Sequence, residues 1–129
     1  MTVGRSTSPT HQRGQLAEET ACRYLQEQGF QLIQANYHCK LGEIDLIMQR
    51  HTLLIFVEVR MRRHNAMMDA AMTVTRPKQR KLIRTAQWFL QEFPHYAKLD
   101  CRFDVMAFNP AKGELTGAPD WIQGAFYAG

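Results

Sequence analysis

Gly42-Glu43-Ile44-Asp45-Leu46-Ile47-Met48-Gln49-Arg50-His51-Thr52 runs directly into Leu53-Leu54-Ile55-Phe56-Val57-Glu58-Val59-Arg60, and the fold turns on this stretch. Leu53 to Val57 is continuously apolar, which predicts a central strand covered on both faces. Ile44 to Met48 predicts a strand before it, with the polar tip Gln49-Arg50-His51-Thr52 as a hairpin turn. A two-residue turn at His51-Thr52 would set Asp45 opposite Glu58 and Glu43 opposite Arg60. Residues two apart point to one face of a strand, so all four side chains are expected on the same face. A register slip would make these pairs diagonal.

Outward from the hairpin, Gln15 to Gln28 predicts a helix with the apolar stripe Ala17, Ala21, Tyr24 and Leu25, and Gly29 stops it. Phe30 to Ala35 reads as a short strand. Thr75-Arg76-Pro77 predicts a helix start, with Thr75 as the cap and Pro in the first turn. That helix runs to about Glu92, turning Leu82, Ile83, Ala86, Phe89 and Leu90 inward. Arg102 to Phe108 reads as a fourth strand, and Trp121, Ile122, Ala125 and Phe126 are spaced for one or two helical turns. The loop from Met61 to Thr73 takes no assignment. The expectation is an α/β fold of order α-β-β-β-α-β, a single domain whose mixed β-sheet is flanked by helices. The 129 residues suit one domain, placed at 14–129, behind a flexible N-terminal tail at 1–13.

Several classes are excluded or disfavoured. No apolar run approaches the ~20 residues that span a bilayer. The polar start, Met1 to Arg13, lacks the apolar core of a secretory signal, so a cytoplasmic protein without a membrane partner is expected. Cys22, Cys39 and Cys101 are odd in number and form no C-x-x-C pair, which disfavours a disulfide framework or a thiolate zinc site. His11, His38, His51, His64 and His95 have no ligand spacing. Trp88, Phe89, Phe93 and Tyr96 are expected in the core.

Charge is concentrated. Between Arg60 and Arg84 stand eight Lys or Arg residues and one acid, Asp69, although the net charge of the whole chain is only +4. Such a stretch is either a solvated face or the footprint of a polyanion, of which nucleic acid is the commonest.

Two opposed carboxylates on a sheet repel. Glu58 beside an apolar strand also carries a desolvation cost. A hard divalent cation such as Mg²⁺, which prefers carboxylate oxygens, would offset both. Structural pairing of Glu43 with Arg60, without any metal, is the other reading, and the residues leave the two open. On the first helix Glu18 projects with Ala21 and Leu25. It is either a third inward carboxylate or a charge favoured early in a helix. Lys78 and Gln79 point from the start of the second helix towards the sheet, while Arg80, Lys81 and Arg84 lie outside. Asp104 is expected to be structural, an edge residue paired with Arg102.

With these residues in hand, the chain resembles the YraN family of bacterial proteins. The matching segments are Gly14 with Glu18, Ala21-Cys22-Arg23-Tyr24-Leu25, Gly29-Phe30, Asn36, Gly42-Glu43-Ile44-Asp45-Leu46-Ile47 and Phe56-Val57-Glu58-Val59-Arg60. Lys78-Gln79, Arg102-Phe103-Asp104-Val105 and Trp121-Ile122-Gln123-Gly124-Ala125-Phe126 complete them. The resemblance implies a restriction-endonuclease-like fold, close to archaeal Holliday-junction resolvases. In that superfamily an Asp and a later Glu-x-Lys bind Mg²⁺ and activate water against a phosphodiester.

On these positions Asp45 matches the Asp, Glu58 the Glu, and Glu18 the helical acid that some members add, with Val59 offering its backbone carbonyl to the metal. Arg60 stands where the superfamily has Lys. A lysine can give up its proton when buried, whereas arginine stays protonated and is left to contact the scissile phosphate. Lys78 would then supply the amine from the second helix, with Gln79 beside it. Arg62, Arg63, Arg76, Arg80 and Lys81 would track the backbone. The implied activity is a Mg²⁺- or Mn²⁺-dependent endodeoxyribonuclease acting on DNA, with branched or structured DNA as its expected substrate. The metal is expected to be weakly held, and a homodimer is expected if two strands are cut. The alternatives are a catalytically inactive nucleic-acid-binding module and a protein-interaction subunit with a structural ion-pair cluster.

Overall fold

A computed structural model describes residues 9–61, 74–108 and 119–128, with side chains from residue 14 onward. The elements are α1 (Pro9–Glu27), β1 (Gln31–Cys39), β2 (Gly42–Arg50), β3 (Leu53–Met61), α2 (Arg76–Glu92), a 3-10 turn (Pro94–Lys98), β4 (Asp100–Phe108) and β5 (Asp120–Phe126). The strands form one sheet in the order β1-β2-β3-β4-β5. All neighbours are antiparallel except β3 and β4, which are parallel and joined through α2. The sheet is therefore mixed, as expected.

The continuously apolar strand is its middle member, and Leu54 to Glu58 are all buried. Its two faces receive the two helices. Leu82, Ala86 and Phe89 of α2 pack on one face with Leu54, Phe56, Phe103 and Val105. Ala17, Ala21 and Leu25 of α1 pack on the other with Leu46, Ile55, Val57 and Met106. The i, i+4, i+8 spacing of the α1 stripe fits the helical period.

Helix α1 ends as Gly29 predicts. The N–H of Phe30 donates to the carbonyl of Leu25 and that of Gly29 to Gln26, each at 3.0 Å, with Gly29 at φ +94°. This pair of bonds is a Schellman closure, which glycine permits without strain. Helix α2 begins as expected, its cap Thr75 accepting from the N–H of Lys78 at 3.3 Å.

Residues 9–13, placed in the tail, are helical in α1, while 1–8 lie outside the described residues. Three expectations change. Trp121 to Phe126 is a strand and not a helical turn. Its apolar residues fit a helix by spacing, but the register with β4 shifts opposite Asp104, between the Phe103–Phe126 and Val105–Ile122 pairs. Gly124 takes φ +60° there, which delays the strand's alternation. Asp104 is consequently not on an edge. It is 1% exposed and accepts from Arg102 Nε at 2.8 Å, Arg102 Nη2 and Trp121 Nε1 at 2.9 Å, and Gly124 N–H at 3.0 Å. Trp88, expected in the core, is 37% exposed, with the Lys40 ammonium over its ring. The loop from Met61 to Thr73 lies, beyond Met61, outside the described residues.

Candidate metal and phosphate site

The hairpin has the expected register as far as its ladder runs, from Arg50 opposite Leu53 to Leu46 opposite Val57. Beyond Leu46 the alternation of faces breaks. Ile44 packs into the α2-side core, whereas Leu46, two residues on, packs into the α1-side core. Asp45 lies at this crossover. Asn36 occupies the matching place on β1, between the Tyr37–Ile44 and Ala35–Leu46 pairs, at φ +54°. Asparagine tolerates that left-handed conformation better than most residues.

The crossover re-aims Asp45. Its Oδ2 accepts from the backbone N–H of Val59 at 2.8 Å. The contact seen at Val59 is thus through its N–H. The four hairpin side chains do not share one face as expected: Gly42 and Ile44 both face α2, which turns the exposed Glu43 between them to the other side. Among the described residues Arg60 pairs not with Glu43 but with Glu58 on its own strand, Nη1 to Oε2 at 3.4 Å.

Both helices reach this end of the sheet. Lys78, in the first turn of α2, brings Nζ to 3.8 Å from Glu58 Oε2. Glu18 comes from α1, where a small cleft of about 260 Å³ between α1, β1 and β2 opens onto it beside Asn36 and Cys22. Burial and the Asp45 charge push the Glu18 carboxyl up to about 7, while the Asn36 amide pulls the other way. Burial and Asp45 likewise push Glu58 up to about 7, against the pull of Lys78 and Arg60. Asp45 is itself raised by burial, with the Val59 N–H opposing and Glu43 adding to the rise. Three acids thus titrate above their ordinary range because they sit together, away from water, with too little positive charge beside them.

Gln79 and the outer cations lie elsewhere. The Gln79 amide donates to the carbonyl of Val74 at 2.9 Å. Arg76 and Arg80 face a groove on the β5 flank of α2. Lys81 is exposed on the opposite flank, where its carbonyl accepts from the buried Thr85 hydroxyl and lies close to Gly42. Arg62 and Arg63 lie outside the described residues. Sequence reasoning missed Asn36 as a partner of Glu18. The predicted first strand stopped at Ala35, one residue short of it, so no sequence signal marked the place.

The donor chemistry suits a hard cation, since carboxylate oxygens are its preferred ligands. Among the described residues, no three His, Cys, Asp or Glu side chains stand in position to hold a metal ion. The acids converge without forming a ready-made cage.

Fold and site together define a single-domain α/β protein with a five-stranded mixed sheet and two helices, consistent with a restriction-endonuclease-like fold. Family comparison agrees with this class. The model of the uncharacterised protein family UPF0102 matches residues 17–108, and the chain belongs to that family, which is the YraN family. It is 46% identical to a UPF0102 protein of Saccharophagus degradans, over 90% of this chain and 93% of that one. A UPF0102 protein of Nitrosococcus oceani is 45% identical over 91% of this chain and 94% of its own. One from Psychrobacter cryohalolentis is 42% identical over 93% and 83% respectively. The matched range takes in Glu18, Asp45, Glu58, Arg60 and Lys78. No helix among the described residues is long and apolar enough to cross a membrane.

Proposed function

We propose that this protein is a divalent-cation-dependent endonuclease that hydrolyses phosphodiester bonds in DNA, with branched or structured DNA as its substrate. The observation that carries the reading is the convergence of Glu18, Asp45 and Glu58 at the end of the hairpin, with the Lys78 ammonium against Glu58. Asp45 and Glu58 would hold Mg²⁺ or Mn²⁺, with Glu18 as an accessory ligand. Bound there, the cation would polarise a phosphoryl oxygen and lower the pKa of a coordinated water.

The chain's own groups do the rest. The Val59 N–H fixes the Asp45 carboxylate, so one ligand is oriented before anything binds. The Arg60 guanidinium stays charged and offsets negative charge on the phosphate. Lys78 takes the lysine's part, its amine standing 3.8 Å from Glu58 Oε2, where it can orient the attacking water. The Arg60 position breaks the superfamily pattern in sequence, and Lys78 supplies an amine to the same carboxylate from another element.

A binding module that has kept the fold without catalysis is the second reading. It is favoured by the Arg60–Glu58 pair, which ties up one acid with a cation that cannot serve as a base. Cleavage of labelled single-stranded, duplex, flap and four-way-junction DNA separates the two. The assay compares Mg²⁺ or Mn²⁺ with chelator, and the natural chain with Asp45→Ala and Glu58→Ala. Metal-dependent cutting that both variants lose is the expected result. No cutting at concentrations where DNA is bound, with cutting gained in Arg60→Lys, would establish the binding module instead. Failure to bind DNA at any salt concentration would leave the cluster as ion-paired structure in a protein-interaction subunit. Cutting both strands of a duplex or junction needs two sites, so a homodimer is expected on such substrates.

A further inference from the structure

Asn36 stands in the middle of β1 at φ +54°, a left-handed conformation that is foreign to an extended strand. The other described residue of this kind that is not glycine, His51, sits at the hairpin tip, where a two-residue turn calls for it. Asn36 lies across from Asp45, between the Ala35–Leu46 and Tyr37–Ile44 pairs. Both strands change faces at this one place. Tyr37 and Ile44 pack into the α2-side core, whereas Ala35 and Leu46 line the cleft beside α1. An extended residue at 36 would carry the alternation of β1 straight through, and pairing would impose the same alternation on β2. The side chain of Asn36 does a second thing. Its amide donates to the Glu18 carboxylate, which reaches the cleft from α1. Glycine takes positive φ at less cost than asparagine, so the backbone alone would be served as well by glycine. The residue present adds a donor.

We propose that Asn36 is a positioning residue for the hairpin acids: its left-handed backbone turns Asp45 out of the regular pleat onto the Val59 N–H, and its amide holds the Glu18 carboxylate at the same centre. The two acids come from different elements, α1 and β2, and Asn36 on a third is bound to the one and opposite the other. Asp45 Oδ2 accepts from Val59 at 2.8 Å, so Asp45 is held from β3 and set from β1. Glu18 is a long side chain that loses rotamer freedom when it binds anything, and the bond to Asn36 removes part of that freedom beforehand. Side chains that hold a metal's carboxylate ligands in this way are worth about 10- to 100-fold in metal affinity. The inference rests on the metal reading of the cluster for that affinity. The turn at Asp45 and the hold on Glu18 are properties of the chain without metal.

Two measurements test it. The first is the Val59 amide resonance in a nitrogen–proton correlation spectrum, recorded in chelator for the natural chain, Asn36→Gly and Asn36→Val. Glycine accepts the left-handed backbone and a branched side chain opposes it. The resonance is expected to keep its place in Asn36→Gly and to move upfield in Asn36→Val, as the bond to Asp45 is lost. The second is calorimetric titration with Mn²⁺ of the natural chain, Asn36→Gly, Glu18→Ala and the double variant. Asn36→Gly is expected to bind about 10- to 100-fold more weakly than the natural chain, and to make no further difference once Glu18 is alanine. A role in folding alone would weaken both backgrounds equally, and that result overturns the inference. So does a Val59 resonance that stays in place in Asn36→Val, or one that moves as far in Asn36→Gly. The two readings fail separately. Mn²⁺ bound equally by the natural chain and Asn36→Gly removes the positioning role alone. No Mn²⁺ binding in the natural chain removes the metal reading, and Asn36 is then judged in chelator. There the Val59 resonance must behave as above, and the fall in melting temperature caused by Asn36→Gly must be smaller once Glu18 is alanine, or the inference fails as well.

Discussion

Glu58 lies on the most apolar strand of the sheet, and its carboxyl is pushed up to about 7 by burial and by Asp45. Glu18 is raised to about 7 for the same two reasons. Both groups bind protons more tightly folded than unfolded, where the ordinary value is 4.5. Stability from this source is full below the unfolded value and is lost as pH rises through about 7. Glu58→Gln keeps the shape and removes the charge. Without metal it is expected to melt a few degrees above the natural chain at about pH 8 and level with it at about pH 5, measured by thermal unfolding. A variant that melts lower at both would show that the Lys78 and Arg60 pairs outweigh the crowding.

Asp104 is the opposite case, a buried acid with every donor it needs. Asp104→Ala would strand the Arg102 guanidinium and the Trp121 N–H, so a loss of about 3–5 kcal/mol is expected in urea unfolding. Lys78 carries a functional prediction. Lys78→Ala should lower metal-dependent cleavage by about a hundredfold or more while DNA binding changes only slightly, and Lys78→Arg should not rescue it. Single-turnover cleavage with parallel binding curves reads both.

Among the elements, the approach of β2 to α2 leaves no room for a side chain at Gly42. A Cβ there would lie 2.9 Å from the hydroxyl of Thr85, which is fully buried and bonded to the Lys81 carbonyl, and φ at Gly42 is +153°. Gly42→Ala is expected to cost about 1–3 kcal/mol, measured in urea, and to disturb the seating of α2 near the acids. Gly42 sits at the mouth of the hairpin that the sequence made most legible. The apolar run, the two-residue turn and the register all follow from alternation and turn length. The break at Asp45 does not, because alternation assumes an uninterrupted pleat and the interruption involves Asn36 on a different strand. The Glu43–Arg60 pair failed for that reason. β5 was illegible because Trp121, Ile122, Ala125 and Phe126 carry a helical spacing that arises from the irregularity at Gly124.

At the scale of the whole molecule, two helices seal the two faces of one sheet, and each delivers charge to the same place near the hairpin. α1 brings an acid, α2 a lysine, and β2 and β3 bring two acids whose carboxyls burial pushes up. Such a cluster is poor at stabilising the empty fold, and on the proposed reading it takes up a cation that exchanges for the bound protons. Added Mg²⁺ should therefore raise the melting temperature more at about pH 8 than at about pH 5, where Glu18 and Glu58 remain protonated. The substrate is a separate question from the centre itself, so the most direct test needs no DNA. Calorimetric titration with Mn²⁺ at pH about 8 should give saturable binding in the natural chain that Asp45→Asn and Glu58→Gln each abolish. No binding in the natural chain, or equal binding in both variants, would contradict the assignment of a metal centre to this hairpin.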